Sequence, residues 1–208
     1  MESTEQKILG RLKRVGRGKV FFPDYFADVA SSESIRKALE ILTSKGEIIR
    51  VARGIYCYPK KDNELGLGVL NPSVDEIVAA IAKRDHMKVV PTGVYAQNLL
   101  GLSTQVPMNF VYLTNGWSRQ ITVLNGIVVK FKQTALKNLE FNSRLAMLIT
   151  FALKDIGKDN VTDEQLSTIK QLLINESKSA VEKDLILMPI WIRKIVTLAY
   201  GQEKLFCS

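Results

Sequence analysis

The sequence predicts an α+β protein: an N-terminal winged helix-turn-helix followed by a mixed domain with a small antiparallel sheet and a helical C-terminal part. Two observations predict it. Three stretches with helical apolar spacing precede two β-rich runs in residues 1–62, and further β-rich runs then give way to a helical tail. A chain of 208 residues suits one large domain or a small domain plus a larger one, and the element order favours the second. We therefore predict a DNA-binding domain at 1–62 and an α+β domain at 63–208, with the tail from about 134.

The first predicted helix begins at a capping box. Ser3 and Gln6 have the Ser-x-x-Gln spacing in which each side chain bonds the backbone of the other residue. Apolar residues then recur at helical intervals, at Ile8, Leu12 and Val15. The glycine-containing loop 16–19 ends this helix.

Two more helices follow. Pro23 can occupy the first turn of a helix, which predicts a short helix over 24–30. Ser31 or Ser32 caps a third helix, whose apolar positions have helical spacing and are Ile35, Ala38, Leu39 and Leu42. Gly46 suits the position just past the end of this helix.

A β-hairpin follows the third helix. The β-rich runs 47–51 and 55–58 flank a tight turn at 52–54. Three helices followed by a two-stranded wing is the element order of a winged helix-turn-helix. The polar segment 59–63 is predicted to be a linker that leaves this domain.

The second part mixes strands and helices. Ser73 and Glu76 form a capping box, and the dipeptide Asn125-Gly126 between two β-rich runs is the strongest hairpin signal in the chain. The predicted strands are 88–90, 110–114, 119–124 and 127–132. The predicted helices after Ser73 include 92–100, 140–156, 162–174, 179–185 and 190–200.

The chain is basic, with a formal net charge of +8 and a pI near 9.5. Residues 1–62 hold 13 Lys and Arg against 8 Asp and Glu, a net charge of +5, whereas the longer remainder has a net charge of +3. Six basic residues and no acidic one lie between Lys7 and Lys19. This distribution favours a partner with a phosphate backbone, bound by the N-terminal part.

The winged helix order assigns a role to each candidate DNA contact. The start of the third helix presents Ser32, Ser34, Arg36 and Lys37 to base edges in the major groove, where Arg36 can bind guanine with two hydrogen bonds. Arg53 lies at the wing tip. Four more basic residues are candidate phosphate contacts: Arg50, Arg14, Arg17 and Lys19. The predicted partner is double-stranded DNA.

An alternative stays open, because winged helices also serve as protein-interaction modules and a basic run is often a solvated helix face. A third class is an enzyme acting on nucleic acid. The sequence shows neither the clustered carboxylates, nor the phosphate loop, nor the metal ligands that such an enzyme would need. His86 beside Asp85 could act as a general base, but a helix-end role suits it better. We predict no catalytic residue, no cofactor and no metal.

The two cysteines, Cys57 and Cys207, are too few for a disulfide framework or a zinc site, so we interpret them as one strand and one tail residue. The chain contains neither a signal-peptide core at its N-terminus nor an apolar run long enough for a transmembrane helix. We therefore expect a cytoplasmic protein without a membrane partner.

A turn in the second part carries Trp117, Ser118 and Arg119. Such a turn could bind a phosphate, a nucleic acid or a partner protein. We favour a structural interpretation, in which Trp117 covers the small sheet and Arg119 pairs with a carboxylate, because buried tryptophans commonly pack on small sheets.

Several runs resemble the AbiEi-like antitoxin family, especially a bacterial branch of unassigned function. They are Phe21-Phe22-Pro23-Asp24-Tyr25-Phe26, Ser34-Ile35-Arg36-Lys37-Ala38-Leu39-Glu40-Ile41-Leu42, Gly46-Glu47-Ile48-Ile49-Arg50, Arg53-Gly54-Ile55-Tyr56, Pro91-Thr92-Gly93-Val94-Tyr95-Ala96 and Tyr112-Leu113-Thr114-Asn115-Gly116-Trp117-Ser118-Arg119. The resemblance spans about residues 5–133, and the helical tail is similar only in character.

The resemblance implies a type IV toxin–antitoxin role. In such systems the winged helix represses its own operon by binding promoter repeats, and the C-terminal domain opposes a nucleotidyltransferase toxin without forming a stable complex with it. The alternatives are a ligand-responsive transcriptional regulator without a toxin partner and the interaction module described above.

Overall fold

The computed structural model describes residues 2–62, 66, 68–124 and 126–200. These residues form a mixed α+β structure with small sheets. Within the described residues the sheets have three, two and four strands. The predicted α+β class is therefore confirmed at this level.

The chain divides into two compact units, which are described separately below. The first comprises Met1–His86 with Ile121–Ile127, and the second comprises Met87–Gln120 with Val128–Ser208. The domain division predicted at residues 62 and 63 stays a prediction.

The first unit begins with α1, which is followed by an edge strand and a short 3₁₀ helix. The elements in order are α1 Thr4–Val15, β1 Lys19–Phe21, the 3₁₀ helix Pro23–Phe26, α2 Ser32–Ser44, β2 Ile49–Ala52, β3 Ile55–Tyr58, β4 Lys60–Asp62, β5 Gly68–Leu70 and α3 Val74–Arg84.

The predicted helix starts are confirmed by their hydrogen bonds. Ser3 Oγ accepts from the Gln6 N–H at 3.2 Å, and Gln6 Oε1 accepts from the Ser3 N–H at 2.9 Å. Ser31 caps α2 by accepting from the Ser34 N–H at 3.3 Å. Gly46 follows α2 with a φ of +68°, a conformation that costs glycine little. Local capping chemistry thus determines where these helices start and stop.

A three-stranded antiparallel sheet with order β1-β3-β2 supports the helices of the first unit. Lys19 lies opposite Tyr58, and Ala52 lies opposite Ile55. The core joins residues of both helices to this sheet and includes Ile8, Leu12, Phe21, Phe26, Ile35, Leu39 and Tyr56. Burying such apolar side chains contributes about 1.5–3 kcal/mol for each one.

Two predictions for this unit need correction. Only Pro23–Phe26 of the predicted helix 24–30 is helical, as a 3₁₀ turn, a form that is usually short. The predicted linker 59–63 contains β4, in which Lys60 pairs with Leu70 and Asp62 with Gly68. This pairing joins residues six to ten positions apart, and the polar composition of 59–63 carried no β-rich signal for it. Asn63 lies outside the described residues.

The second unit contains a sheet followed by a helical part. The elements in order are β6 Val89–Thr92, α4 Gly93–Leu99, β7 Asn109–Thr114, β8 Arg119–Val123, β9 Ile127–Gln133, the 3₁₀ helix Leu136–Leu139, α5 Arg144–Ile156, the 3₁₀ helix Lys158–Asn160, α6 Asp163–Ile174, α7 Lys178–Asp184, the 3₁₀ helix Leu185–Leu187 and α8 Ile190–Ala199. Residues 121–123 of β8 group with the first unit.

The four-stranded sheet is mixed, so the predicted antiparallel sheet is wrong in one pairing. Its order is β6-β7-β9-β8, with β6 antiparallel to β7 but β7 parallel to β9. The chain reverses direction twice between β7 and β9, which makes these two strands parallel when they become neighbours. Asn125 of the predicted hairpin turn lies outside the described residues.

The helical part confirms one capping box and shifts one helix start. Thr162 Oγ1 accepts from the Gln165 N–H at 3.2 Å, as predicted for α6. The helix predicted from 140 begins instead at Arg144, because Ser143 is its N-cap. The buried Asp184 carboxylate accepts backbone N–H groups of Asn142 and Ser143 at 2.8 and 2.7 Å, which fixes this start.

None of the helices in the described ranges combines the length and the apolar composition that spanning a membrane requires.

Candidate nucleic-acid interface

The polar face of α2 is exposed at its N-terminal end. Ile35, Ala38, Leu39 and Leu42 are buried, whereas Ser32, Ser34, Arg36 and Lys37 are exposed, as the helical spacing predicts. Ser34 Oγ lies 3.0 Å from Ser31 Oγ, so this hydroxyl takes part in the cap. Ser32, Arg36 and Lys37 remain directed to solvent.

The same face of α2 carries two carboxylates that the prediction omitted. Glu33 and Glu40 are exposed and lie three and four residues from Arg36. These spacings place them beside Arg36 on the helix surface. Their charges offset those of Arg36 and Lys37, although a glutamate can also accept a hydrogen bond from cytosine N4. The spacing in the sequence was sufficient to find them.

The turn between β2 and β3 presents Arg53. Ala52 pairs with Ile55, and Gly54 has a φ of +72°, which the tight turn requires. Arg53 is exposed at the tip, and Arg50 is exposed before an irregularity in the β2–β3 register. The hairpin therefore places one arginine at its turn and another along its outer strand.

The cations at Arg17 and Lys19 lie at the other end of the sheet. Lys19 pairs with Tyr58, three residues along β3 from Ile55, which corresponds to about 10 Å of strand. The Arg17 guanidinium lies 4.5 Å from the centre of the Tyr58 ring, and its Nη1 donates to the Pro59 carbonyl at 3.0 Å. The sheet thus separates these two cations from Arg53.

Arg11 ties α1 to the segment before α2. Its Nη1 and Nη2 donate to the two oxygens of Asp28 at 2.7 and 2.6 Å, and Nη1 also donates to the Tyr25 carbonyl at 3.1 Å. The hydrogen bonds from Arg11 lower the pKa of the Asp28 carboxyl to about 2. This pair orients the loop that leads into α2.

The remaining predicted cations differ from Arg11 and Arg17 in their surroundings. Within the ranges that the structure describes, six exposed side chains make no ion pair: Arg14, Lys19, Arg36, Lys37, Arg50 and Arg53. The four ion pairs of those ranges involve Arg11, Lys45, Lys60 and Arg84. The six cations can therefore contact an external anion without first breaking a bond.

Cys57 is buried in β3, as expected for a structural cysteine. Burial, with a smaller contribution from Glu76, raises the pKa of its thiol to about 11. The thiolate is the reactive form, so this cysteine is inert near neutral pH. Cys207 lies outside the described residues.

The turn of the second unit differs from the favoured prediction. Trp117 is 84% exposed, so the prediction that it covers the sheet is wrong. Ser118 Oγ accepts from the Gln133 N–H at 2.8 Å, and the Arg119 guanidinium lies 5.3 Å from the centre of the Phe131 ring. The turn is thus anchored by Ser118 and Arg119, while the indole of Trp117 is exposed.

His86 follows the end of α3 in a left-handed conformation with a φ of +51°. It is exposed, and its N–H lies 3.4 Å from the Lys83 carbonyl, as in a helix C-terminus. Among the residues that the structure describes, no group of three or more His, Cys, Asp or Glu side chains could hold a metal ion.

Comparison with protein-family models identifies a match. A family model described as a family of unknown function, DUF6088, matches residues 7–181. The match covers α1 from residue 7 onward, the elements that follow it through α3, and the four-stranded sheet. No curated protein matches the chain.

Proposed function

The chain belongs to DUF6088, a family of unknown function, and we propose that it is a transcriptional regulator that binds double-stranded DNA. In this proposal the N-terminal part is a winged helix-turn-helix. Its helices are α1, the 3₁₀ turn Pro23–Phe26 and α2, and its wing is the β2–β3 hairpin. The observation that carries the proposal is the exposure of Arg36 on α2 and Arg53 at the hairpin turn, neither of them ion-paired within the described ranges.

The proposed binding mode follows from these positions. The first turns of α2 enter the major groove, where Arg36 contacts a guanine and Ser32 contacts a base or a phosphate. Arg53 reaches a phosphate or the adjacent groove from the wing. Lys37, Arg50 and Arg14 supply charge that neutralises phosphates, while the Ser34 hydroxyl is engaged with the cap residue Ser31. Arg17 and Lys19 contribute less, because β3 separates them from the wing tip.

The antitoxin part of the proposal is supported by the motif resemblance alone. We propose that the chain represses its own operon through promoter repeats. It would oppose a nucleotidyltransferase toxin without a stable complex, and it would act in the cytoplasm. The test is co-expression with a nucleotidyltransferase toxin of a type IV system, encoded beside this chain if such a gene is present there. Restored growth supports an antitoxin, and continued growth arrest contradicts it.

DNA binding is tested with the full chain and short duplexes. Fluorescence anisotropy compares a duplex from the chain's own promoter with a scrambled duplex of equal composition, at about 50 to 200 mM salt. We expect tighter binding to the promoter and a steep loss of affinity with salt, because several phosphates are contacted. Weak, salt-insensitive binding that is equal for both duplexes contradicts the proposal.

A second candidate is a protein-interaction module, and two observations favour it. Glu33 and Glu40 offset the cations on the exposed face of α2, and Trp117 offers a large exposed aromatic surface. In this case DNA affinity would be weak and independent of sequence. The anisotropy comparison therefore separates the two candidates directly.

A further inference from the structure

The first unit contains an open groove of about 750 Å³ whose lining shares only Lys19 with the proposed DNA contacts. One wall is formed by α1, β1 and the 3₁₀ turn, and the other by α3. Its apolar lining includes Leu12, Val15, Phe22, Tyr25 and Ala80. Sites for small molecules commonly have volumes of about 300 to 1,000 Å³ and a mainly apolar lining. The groove has the size and the surface of a ligand site.

Apolar side chains remain accessible in this groove. Val15 is 39% exposed and Tyr25 is 48% exposed, although both lie beside the core residues Leu12 and Phe26. Covering apolar surface of this kind stabilises the complex by about 25 cal/mol for each Å² removed from water. An apolar ligand body would supply that cover.

The charges around the groove favour an anionic group on the ligand. Lys19 on β1 and Lys83 on α3 line opposite walls, and neither is ion-paired within the ranges that the structure describes. The groove lining therefore offers two available ammonium groups to an anionic ligand.

The other charged groups of the lining are more occupied. The Arg84 guanidinium lies 4.2 Å from the centre of the Phe22 ring, and its Nε donates to the Asp85 carboxylate at 2.6 Å. Glu76 accepts from the Ser73 N–H at 2.7 Å and lies 4.0 Å from Lys60. Asp24 is the remaining carboxylate. The available lining charge is thus two lysines against one aspartate.

We propose that this groove binds an apolar organic anion, a carboxylate on an aliphatic or aromatic body. The apolar body covers Val15, Phe22 and Tyr25, and the carboxylate lies between Lys19 and Lys83. Ligand charge decides the specificity: a neutral or cationic molecule with the same body lacks the attraction to the lysines and, if cationic, meets repulsion.

A regulatory consequence rests on the proposed DNA-binding function. Phe22 and Tyr25 belong to the segment that leads into α2, and the Tyr25 carbonyl accepts from Arg11, which also holds Asp28. A ligand in the groove contacts this segment and therefore affects the placement of α2. The ligand therefore changes the affinity for promoter DNA, as two coupled sites require.

The experiment measures binding without DNA, so it stays independent of the proposed function. Isothermal titration calorimetry on the full chain compares decanoate with decylamine and decanol. We expect binding of decanoate, about tenfold weaker binding of decanol and no binding of decylamine, a difference of about 1.4 kcal/mol for each factor of ten. Equal binding of all three compounds overturns the proposal, because exposed apolar surface alone would explain it.

Variants locate the site. Ala79→Trp places a bulky side chain from an exposed lining position into the groove, and Lys83→Glu reverses one charge. We expect Ala79→Trp to abolish decanoate binding and Lys83→Glu to weaken it about tenfold or more. The matched control is Lys13→Glu, an exposed lysine of α1 outside this groove, which should leave binding unchanged.

Circular dichroism checks that each variant is folded, and Val15→Asn replaces Ala79→Trp if the larger side chain prevents folding. Decanoate binding that survives both Lys83→Glu and the folded groove variant overturns the assignment. In a separate measurement, decanoate binding with unchanged promoter affinity keeps the site and removes the regulatory consequence. Loss of promoter binding in all conditions counts against the DNA-binding function instead.

Discussion

The two ends of the three-stranded sheet carry exposed arginines with different surroundings. At the β2–β3 turn, Arg53 has no ion-pair partner within the described ranges. At the opposite end, Arg17 donates to the Pro59 carbonyl and lies over the Tyr58 ring. The charges are equal, but the availability differs, since an external anion must compete with the partners of Arg17. Counting basic residues therefore overestimates the positive charge that a surface offers to DNA, because internal contacts decide which cations are available.

The largest expected effect comes from removing the available arginines. The double variant Arg36→Ala and Arg53→Ala should weaken binding to promoter DNA by about 30-fold to 150-fold, the sum of a base contact and a phosphate contact. Fluorescence anisotropy measures the loss, and circular dichroism should show an unchanged fold. Arg144→Ala, at an exposed arginine of α5, is the control that removes one charge elsewhere. If only net charge mattered, the control would lose half as much binding free energy as the double variant, and that result would contradict the assignment.

The next prediction concerns Arg17, the engaged arginine at the other end of the sheet. Arg17→Ala should lower the free energy of unfolding by about 1 kcal/mol, because it removes a hydrogen bond and a cation–π contact. Promoter affinity should fall by less than about threefold, since this cation is already engaged. Urea denaturation and anisotropy measure the two quantities. A loss of affinity as large as that of Arg53→Ala would break the distinction between available and engaged arginines.

A smaller effect concerns the pair that orients α2. Asp28 has a folded pKa of about 2, below its unfolded value near 4. Its charged form therefore contributes stability above about pH 4, and this contribution is lost as the pH falls towards 2. Asp28→Asn should lower the Tm slightly at pH 7, and the difference from wild type should shrink below pH 4.

Thermal melts followed by circular dichroism at several pH values measure this difference. Asp159→Asn, at an exposed aspartate whose carboxylate has no ion pair in the described ranges, is the control and should have little effect at any pH. A Tm difference for Asp28→Asn that stays constant from pH 7 to pH 2 would remove the electrostatic explanation of the pair.

The smallest expected effect tests the carboxylates of α2. Glu40→Gln removes a negative charge beside Arg36 and should raise promoter affinity about twofold to threefold, with a similar gain on scrambled DNA. Glu164→Gln on α6 makes the same charge change in the second unit and should have less effect. A loss of affinity confined to the promoter duplex would instead identify Glu40 as a base-reading residue.

The sequence predicted the helix starts of this protein well, because capping depends on residues three positions apart. Ser3 with Gln6, Ser73 with Glu76, and Thr162 with Gln165 all form the predicted capping boxes. The buried face of α2 also follows from helical spacing alone. In each case the physical cause lies within one or two turns of chain.

Features that depend on distant partners were not predictable in the same way. The three residues of β1 become a strand only by pairing with β3, and β7 becomes parallel to β9 only after two chain reversals. The engagement of Arg17 needs Pro59, 42 residues away, to lie within hydrogen-bond distance. The exposure of Trp117 depends on the course of a turn that its composition does not specify.

The short segment Ile121–Ile127 has a practical consequence for experiments on a fragment of the first unit. This segment groups with residues 1–86, and the Leu124 N–H donates to the Val51 carbonyl at 3.1 Å. A fragment cut after His86 would leave the outer edge of β2 without that donor. Bare strand edges recruit other chains, so such a fragment would be prone to self-association, and the intact polypeptide is the better reagent.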